Sequence, residues 1–281
     1  MSLTRRSVLA GLAAIAAVPA RAAALRVATL DWAILETLLA LKADVVAATE
    51  LVLFRQIAVE PPVPDTVADL GLRGSPNFEA LRLAAPQLIF NSNFYARSNN
   101  RLERIAAVES YPVHVAGERP YALAEAMARG IATRLGLDPA PLIDGTRDGL
   151  AALRGRIAAD RAVLPINFGD PRHFRVFGPD SMFGDVLTQL GLANAWTQPT
   201  SYSAMAPIGI ETLAQFPEAR IAVIGPEPPD VVDMLGRNPF WHALPQVKAG
   251  RVMMLGPINP FGALPSAARF GRLLAAKMGV A

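Results

Sequence analysis

Short apolar runs alternate with stretches of helical period along the chain after residue 24. Apolar runs that predict strands lie at 25–30, 45–48, 88–91 and 111–115, and again at 163–167, 174–177, 221–224 and 251–254. Helical stretches lie at 32–41, 77–84, 100–107 and 121–135, and again at 182–190, 210–216, 231–236 and 264–278. Strands that alternate with helices are typical of βαβ units. The pattern therefore predicts an α/β protein with mostly parallel sheets.

The middle of the chain has one longer helical stretch, at 138–160. Asp138 followed by Pro139 is typical of a helix start, because aspartate caps the first N–H groups and proline fits the first turn. Since this stretch lies at the midpoint, we expect a single long helix that bridges an N-terminal α/β lobe, 25–137, and a C-terminal α/β lobe, 161–281.

The first 24 residues have the layout of an export signal. Arg5 and Arg6 precede an apolar stretch at 8–18, and small residues surround Arg21. The apolar stretch is too short to cross a bilayer as a permanent helix. The arginine pair favours the twin-arginine type of signal, and an ordinary Sec signal with two arginines is the alternative. We expect a soluble periplasmic protein without a lipid anchor, because the sequence has no cysteine.

Composition and charge exclude several classes of protein. Hydrophobic residues make up 52% of the chain and charged residues 18%, which excludes a disordered chain. The net charge of +3 is due to Arg5, Arg6 and Arg21, since the first 22 residues hold no Asp or Glu. Without them the formal charge is about zero, and no cluster of basic residues remains. We therefore expect no nucleic-acid partner.

Motifs for catalysis or metal binding are absent from the sequence. No nucleophile motif or phosphate-binding loop is found, and His114, His173 and His242 lack the spacing of metal ligands. Without cysteine there is no thiolate site. We expect a binding protein without a resident cofactor or metal. A periplasmic hydrolase is the alternative from another class.

Three loops combine polar and aromatic side chains. The loop at 71–77 contains Arg73, the loop at 91–96 contains Tyr95, and the loop at 200–205 contains Tyr202. Parallel sheets bind ligands at loops that follow their strands. Because the three loops share this character and come from both lobes, they favour a ligand-binding role over that of ordinary surface loops.

Several segments, in the same order along the chain, carry a resemblance to a known family. They are EPPVPD at 60–65, DLGLR at 69–73, PNFE at 76–79, DPRH at 170–173, VFGPDSMF at 176–183, GLANAW at 191–196, FWHALP at 240–245 and VKAGR at 247–251. The chain resembles the periplasmic ferric-hydroxamate (ferrichrome-type) siderophore-binding proteins of ABC importers, within the iron-siderophore and cobalamin binding class. The resemblance implies a monomer with a ligand cleft between two lobes, which delivers its ligand to an inner-membrane permease and its ATPase.

The resemblance also implies roles for individual residues. Arg73 and Tyr95 match the pair that contacts the hydroxamate oxygens around iron, and the siderophore itself supplies every iron ligand. Positions where ferrichrome binders carry aromatic residues hold Ile57, Ser203, Asn259 and Pro260 here. The aromatic residues beside two of them are Tyr202 and Phe261. We expect a less aromatic site than that of a ferrichrome binder.

The glutamates that dock such proteins on a permease match Glu103 and Glu218 less clearly, since Asn100 occupies the first expected position. Haem, cobalamin or another metal chelate is the alternative ligand. Haem would need an axial His or Tyr in the cleft, which Tyr95 or Tyr202 could supply.

Overall fold

The computed structural model describes residues 24–200 and 204–280. Residues 1–23 of the predicted export signal lie outside this range, as do Tyr202 and Ser203. Every helix within it is too short or too polar to span a bilayer.

The first lobe is built on a parallel five-stranded sheet of order β3-β2-β1-β4-β5. Its strands are β1 (Arg26–Thr29), β2 (Asp44–Ala48), β3 (Ala68–Asp69), β4 (Leu88–Ser92) and β5 (Ala107–Tyr111). Its helices are α1 (Trp32–Ala40), α2 (Leu51–Ile57), α3 (Phe78–Leu83) and α4 (Asn99–Leu102), with a 3₁₀ helix at Asn93–Ser98. Val27 of β1 lies opposite Val45 on one side and Leu88 on the other, so β1 is the central strand.

The second lobe is built on a mixed five-stranded sheet of order β10-β9-β6-β7-β8. Its strands are β6 (Val163–Asp170), β7 (His173–Val176), β8 (Met205–Gly209), β9 (Arg220–Gly225) and β10 (Val252–Pro257). Strands β6, β9 and β10 are parallel, whereas β7 is antiparallel to β6 and β8 is antiparallel to β7. Its helices are α7 (Met182–Leu190), α8 (Pro229–Arg237), α9 (Pro239–Ala243), α10 (Pro245–Lys248) and α11 (Leu264–Lys277), with a 3₁₀ helix at Ile210–Gln215. The predicted α/β class with two lobes is confirmed.

The chain passes once from the first sheet to the second, through α5 (Pro120–Leu135) and α6 (Ala140–Leu153). The long helix predicted at 138–160 corresponds to α6, which is shorter than expected. Arg154 leaves the helix with a ψ of 133°, and Gly155 follows in the left-handed region with a φ of 78°. Glycine tolerates this conformation without steric cost, so the helix ends there.

Two predicted elements of the first lobe are misplaced. The last strand lies at 107–111 rather than 111–115, and the helix predicted at 100–107 is the single turn of α4. Pairing explains the difference: Leu88 of β4 lies opposite Ala107, and Ser92, at the end of β4, lies opposite Tyr111. The register of the neighbouring strand, rather than the local apolar run, decides where β5 begins and ends.

The two lobes share one hydrophobic core. Buried side chains of α1 belong to the same cluster as Phe177, Phe183 and Phe270 of the second lobe. The ring of Phe183 lies 4.9 Å from that of Phe177 and 4.6 Å from that of Phe270, measured between centroids. A continuous core of this kind resists rotation of one lobe against the other, because rotation would expose apolar surface.

Candidate ligand-binding cleft

A cleft of about 820 Å³ lies where the carboxyl ends of the first sheet's strands face the second lobe. Consecutive strands of the first lobe each contribute a loop residue to it: Asp31 follows β1, Glu50 follows β2, Arg73 follows β3 and Asn93 follows β4. Phe261, after β10, closes it from the second lobe. A smaller recess of about 280 Å³ continues the cleft and shares Trp32, Arg73 and Phe261 with it. This is the strand edge at which parallel sheets usually bind ligands.

Arg73 is fixed by Glu50 and Trp32. Its backbone N–H donates to Oε1 of Glu50 at 3.0 Å, and its Nε lies 2.7 Å from Oε2 of the same carboxylate. The carbon of its guanidinium lies 4.1 Å from the centroid of the Trp32 ring. Guanidinium has five N–H donors, so this arrangement holds its plane and leaves donors for a ligand.

Tyr95 belongs to the 3₁₀ helix that follows β4, and its side chain lies beside that of Arg73. It is half-buried, and Arg73 hydrogen-bonds to its hydroxyl group. Burial raises the pKa of Tyr95 above its ordinary value of 10.0, and the charge of Arg73 opposes this increase. The phenol is therefore neutral at physiological pH and has a proton to donate. The structure thus brings together the two residues that the resemblance to ferric-hydroxamate binders singles out.

Asp31 and Trp32 connect the floor of the cleft to the first sheet. Oδ1 of Asp31 caps α1 by accepting from Ala33 N–H at 2.7 Å, and its Oδ2 accepts from the Ser92 hydroxyl at 2.7 Å. Nε1 of Trp32 donates to the carbonyl of Thr49 at 3.0 Å. Both side chains are buried, so the surface below Arg73 is rigid.

Asn259 belongs to a buried polar cluster with Glu36. Only 1% of Asn259 is exposed, and its Nδ2 donates to Oε1 of Glu36 at 2.6 Å. Ser266 donates to the same oxygen at 2.8 Å, and Ala263 N–H donates to Oε2 at 3.0 Å. Through these bonds α1 of the first lobe holds the loop that presents Phe261. Asn259 thus has a structural partner of its own, at a position that the resemblance matches to an aromatic residue of ferrichrome binders.

Of the other residues predicted from the sequence, Ile57 lies in the recess beside the cleft, whereas Glu103 and Glu218 lie outside the cleft. Ile57 is half-buried and lines the recess. Glu103, after α4, and Glu218, before β9, are exposed and far from the carboxyl edge of their sheets. Glu218 already pairs with Arg161 and lies 3.5 Å from Arg251. The structure therefore brings neither glutamate to the cleft. Tyr202 and Ser203 lie outside the described residues.

Several side chains that line or support the cleft are not predicted from the sequence. Trp32, Glu50 and Arg175 line the cleft or its recess, and Glu36 supports it from below. His114, expected at a strand end or surface, is 3% exposed, and its ring lies 6.5 Å from that of Phe261. The only available signal was a charged residue inside an apolar run, as at Glu36 in α1 and Arg175 in β7.

The chemistry of the cleft is that of hydrogen-bond donors and aromatic faces. Within 24–200 and 204–280, no group of three His, Asp or Glu side chains is arranged to hold a metal ion. Arg73 and Tyr95 can donate to oxygens of a ligand, while Trp32, Phe94 and Phe261 offer apolar contact. The arrangement suits a ligand with negatively polarised oxygens and an organic backbone.

Comparison with known proteins agrees with this chemistry. Over 253 residues the chain is 31% identical to the iron(3+)-hydroxamate-binding protein FhuD of Escherichia coli strain K12, which covers 89% of this chain and 85% of that protein. The crystal structure of FhuD from Vibrio cholerae with Fe³⁺-Desferal bound has a TM-score of 0.83 at 25% identity, covering 90% of this chain and 97% of that one. FhuD2 of Staphylococcus aureus with bound ferrioxamine B has the same fold, with a TM-score of 0.67 at 16% identity over 90% of this chain and 98% of that one. Residues 27–258 match the periplasmic binding protein family, and the chain belongs to that family.

Proposed function

We propose that this protein is the periplasmic substrate-binding component of an ABC importer, which captures iron(III)-hydroxamate siderophores as a monomer and delivers them to an inner-membrane permease with its ATPase. The observation that carries the proposal is the pairing of the Arg73 guanidinium with the neutral Tyr95 phenol above Trp32 in the cleft between the lobes. The likeness to hydroxamate-binding proteins supports it.

Recognition of the iron centre follows from these two donors. In a ferric hydroxamate the oxygens that hold iron carry partial negative charge, and the siderophore completes the coordination of the metal. Arg73 would donate charge-assisted hydrogen bonds to these oxygens, and Tyr95 would add a neutral one. Glu50 and Trp32 keep the guanidinium in position before the ligand arrives, which reduces the entropy lost on binding. The protein itself performs no catalysis in this scheme.

Tryptophan fluorescence tests the proposal. Trp32 lines the cleft, whereas Trp241 is buried against Phe168 and Trp196 packs against Phe216. We expect saturable quenching by ferrioxamine B and ferrichrome, weaker responses to metal-free desferrioxamine B, and none to haem or cobalamin.

A Trp32→Phe variant is the matched control, because it keeps an aromatic floor but removes the reporter of the cleft. Its quenching amplitude should fall while binding measured by calorimetry persists. Saturable binding of haem or cobalamin in place of both ferric hydroxamates would refute the proposal.

Among hydroxamates, ferrichrome should not be the tightest ligand. Ile57, Ser203 and Asn259 stand where ferrichrome binders present aromatic faces, and a fully enclosed aromatic side chain buries about 150–250 Å². Recognition should therefore depend on the iron centre more than on the siderophore backbone. Competition against the tryptophan signal measures this. A strong preference for ferrichrome over linear hydroxamates would contradict it.

Ligand binding should cause little closure of the lobes. Besides the shared core, Glu36 joins α1 to the loop before α11, Glu60 of the first lobe pairs with Arg269 at 3.0 Å, and Asp185 of α7 pairs with Arg119. In solution scattering we expect the radius of gyration to change by less than about 1 Å on loading with ferrioxamine B. A decrease of several ångströms would show a hinge motion instead.

Delivery requires a surface that contacts the permease. We propose Glu103 and Glu218 as docking residues, in keeping with the resemblance and with their exposure. The ion pairs of Glu218 with Arg161 and Arg251 would have to open for docking.

A further inference from the structure

Arg175 stands on the second-lobe wall of the cleft. It lies in β7 between Phe174 and Val176, which are 1% and 0% exposed, so the alternation of the strand directs Arg175 to the opposite face. There it lines the recess of about 280 Å³ together with Asn167 and Phe261. The recess is therefore lined by one arginine from each lobe, Arg73 from the first and Arg175 from the second.

The contacts of Arg175 hold it in position but leave its charge uncompensated. Its Nη1 donates to Oδ1 of Asn167 at 3.2 Å, and Asn167 is itself fixed because its Nδ2 donates to the carbonyl of Ile224 at 2.7 Å. The guanidinium carbon lies 5.3 Å from the centroid of the Phe261 ring. Within 24–200 and 204–280, no carboxylate lies within ion-pair distance of Arg175. Burial lowers the pKa of Arg175, as expected for a half-buried cation without a counter-charge.

The other charged groups of the cleft each have a partner. Glu50 neutralises Arg73, and Asp31 accepts from the first N–H groups of α1 and from Ser92. A half-buried guanidinium without a counter-charge destabilises the folded protein, unless a ligand completes its hydrogen bonds. Its planar donor fork matches a carboxylate better than a single carbonyl oxygen.

We propose that Arg175 binds a carboxylate on the backbone of the ferric hydroxamate, while Arg73 and Tyr95 bind the iron centre. The inference rests on the proposed function and narrows it to anionic hydroxamate siderophores. The recess of about 280 Å³ beside Arg175 has room for a small carboxylate-bearing substituent.

Three iron(III) complexes with the same coordination sphere test the charge preference. They are desferrioxamine B with its terminal amine free, acetylated or succinylated, so that the tail carries a positive, a neutral or a negative group. For the unmodified protein we expect the succinylated complex to bind about tenfold or more tightly than the acetylated one, and the free amine to bind weakest.

The variant Arg175→Leu should bring the succinylated and acetylated complexes to within about threefold of each other, and Arg175→Lys should keep part of the difference. Arg172→Leu is the matched control, since Arg172 is an exposed arginine next to β7 and outside the cleft; it should leave the preference intact. If all three complexes bind equally to the unmodified protein, or if the preference survives in Arg175→Leu, this inference is wrong although the proposed function stands. If none binds, the proposed function itself fails.

Discussion

Replacing Glu36 with leucine is expected to lower the free energy of unfolding by about 3–5 kcal/mol, because three buried donors lose their acceptor and each unsatisfied donor costs about 1–3 kcal/mol. Asn259, Ala263 and Ser266 all donate to this carboxyl group, which is fully buried. Urea denaturation followed by circular dichroism measures the loss. Glu36→Gln is the matched control, since it keeps an oxygen that Asn259 and Ser266 can share and should cost less. A loss below about 1 kcal/mol in Glu36→Leu would mean that the cluster does not tie the lobes together.

The same cluster predicts how stability depends on pH. Burial raises the pKa of Glu36 from 4.5 to about 7, while the hydrogen bonds from Asn259, Ser266 and Ala263 lower it by a smaller amount. The folded chain therefore binds this proton more tightly than the unfolded chain. Its contribution to stability is complete below about pH 4.5 and is lost as the pH rises through 7. A pKa difference of one corresponds to 1.36 kcal/mol, so the increase in the pKa of Glu36 from 4.5 to about 7 contributes about 3 kcal/mol in all.

Comparison with Glu36→Gln isolates this effect. Burial lowers the pKa of His114 below 6.5, which adds stability as the pH rises toward that value, in the opposite direction. His114 is common to both proteins, so subtracting their free energies of unfolding removes it. The advantage of the unmodified protein over Glu36→Gln should shrink steadily between pH 5 and pH 8. A constant difference over that range would show that Glu36 does not titrate there.

Replacing Arg73 with alanine is expected to weaken the binding of ferrioxamine B by about 1.5–3 kcal/mol, which is roughly 10- to 150-fold in Kd. The change removes the charge-assisted donor and leaves the carboxylate of Glu50 unpaired at the wall of the cleft, where it would repel the polarised oxygens of the ligand. Tryptophan quenching or calorimetry measures the change in Kd.

Two further variants make this test specific. Arg73→Lys keeps the charge but loses the planar contact with Trp32 and should recover only part of the affinity. Arg55→Ala removes an exposed arginine of α2 that pairs with Asp65 outside the cleft, and should bind as the unmodified protein does. If Arg73→Ala folds normally and its Kd stays within twofold, Arg73 is not a ligand-binding residue.

Much of the fold is predictable from the sequence because its signals are local. The alternation of apolar runs and helical stretches places α7 at 182–190 in agreement with the structure, and β1, β9 and α11 within one or two residues. Errors occur where pairing or backbone conformation overrides the pattern. Gly155 ends the bridging helix early, and β4 fixes the position of β5. The sequence pattern does not predict the short helix α2 (Leu51–Ile57), whose N-cap residue Glu50 has its backbone in the left-handed region.

The sequence by itself determined the α/β class, the two halves and the loops that carry Arg73 and Tyr95, since each of these depends on residues close together in the chain. Only the tertiary structure decided how the site is held. Glu36 and Asn259 are 223 positions apart, and Glu50 and Arg73 are 23 positions apart. Likewise, Arg175 in β7 reads as an ordinary polar strand residue until the fold sets it beside Phe261 and away from every described carboxylate. The physical reason is that burial and the pairing of charge arise only when distant segments pack together, and a linear pattern does not contain those distances.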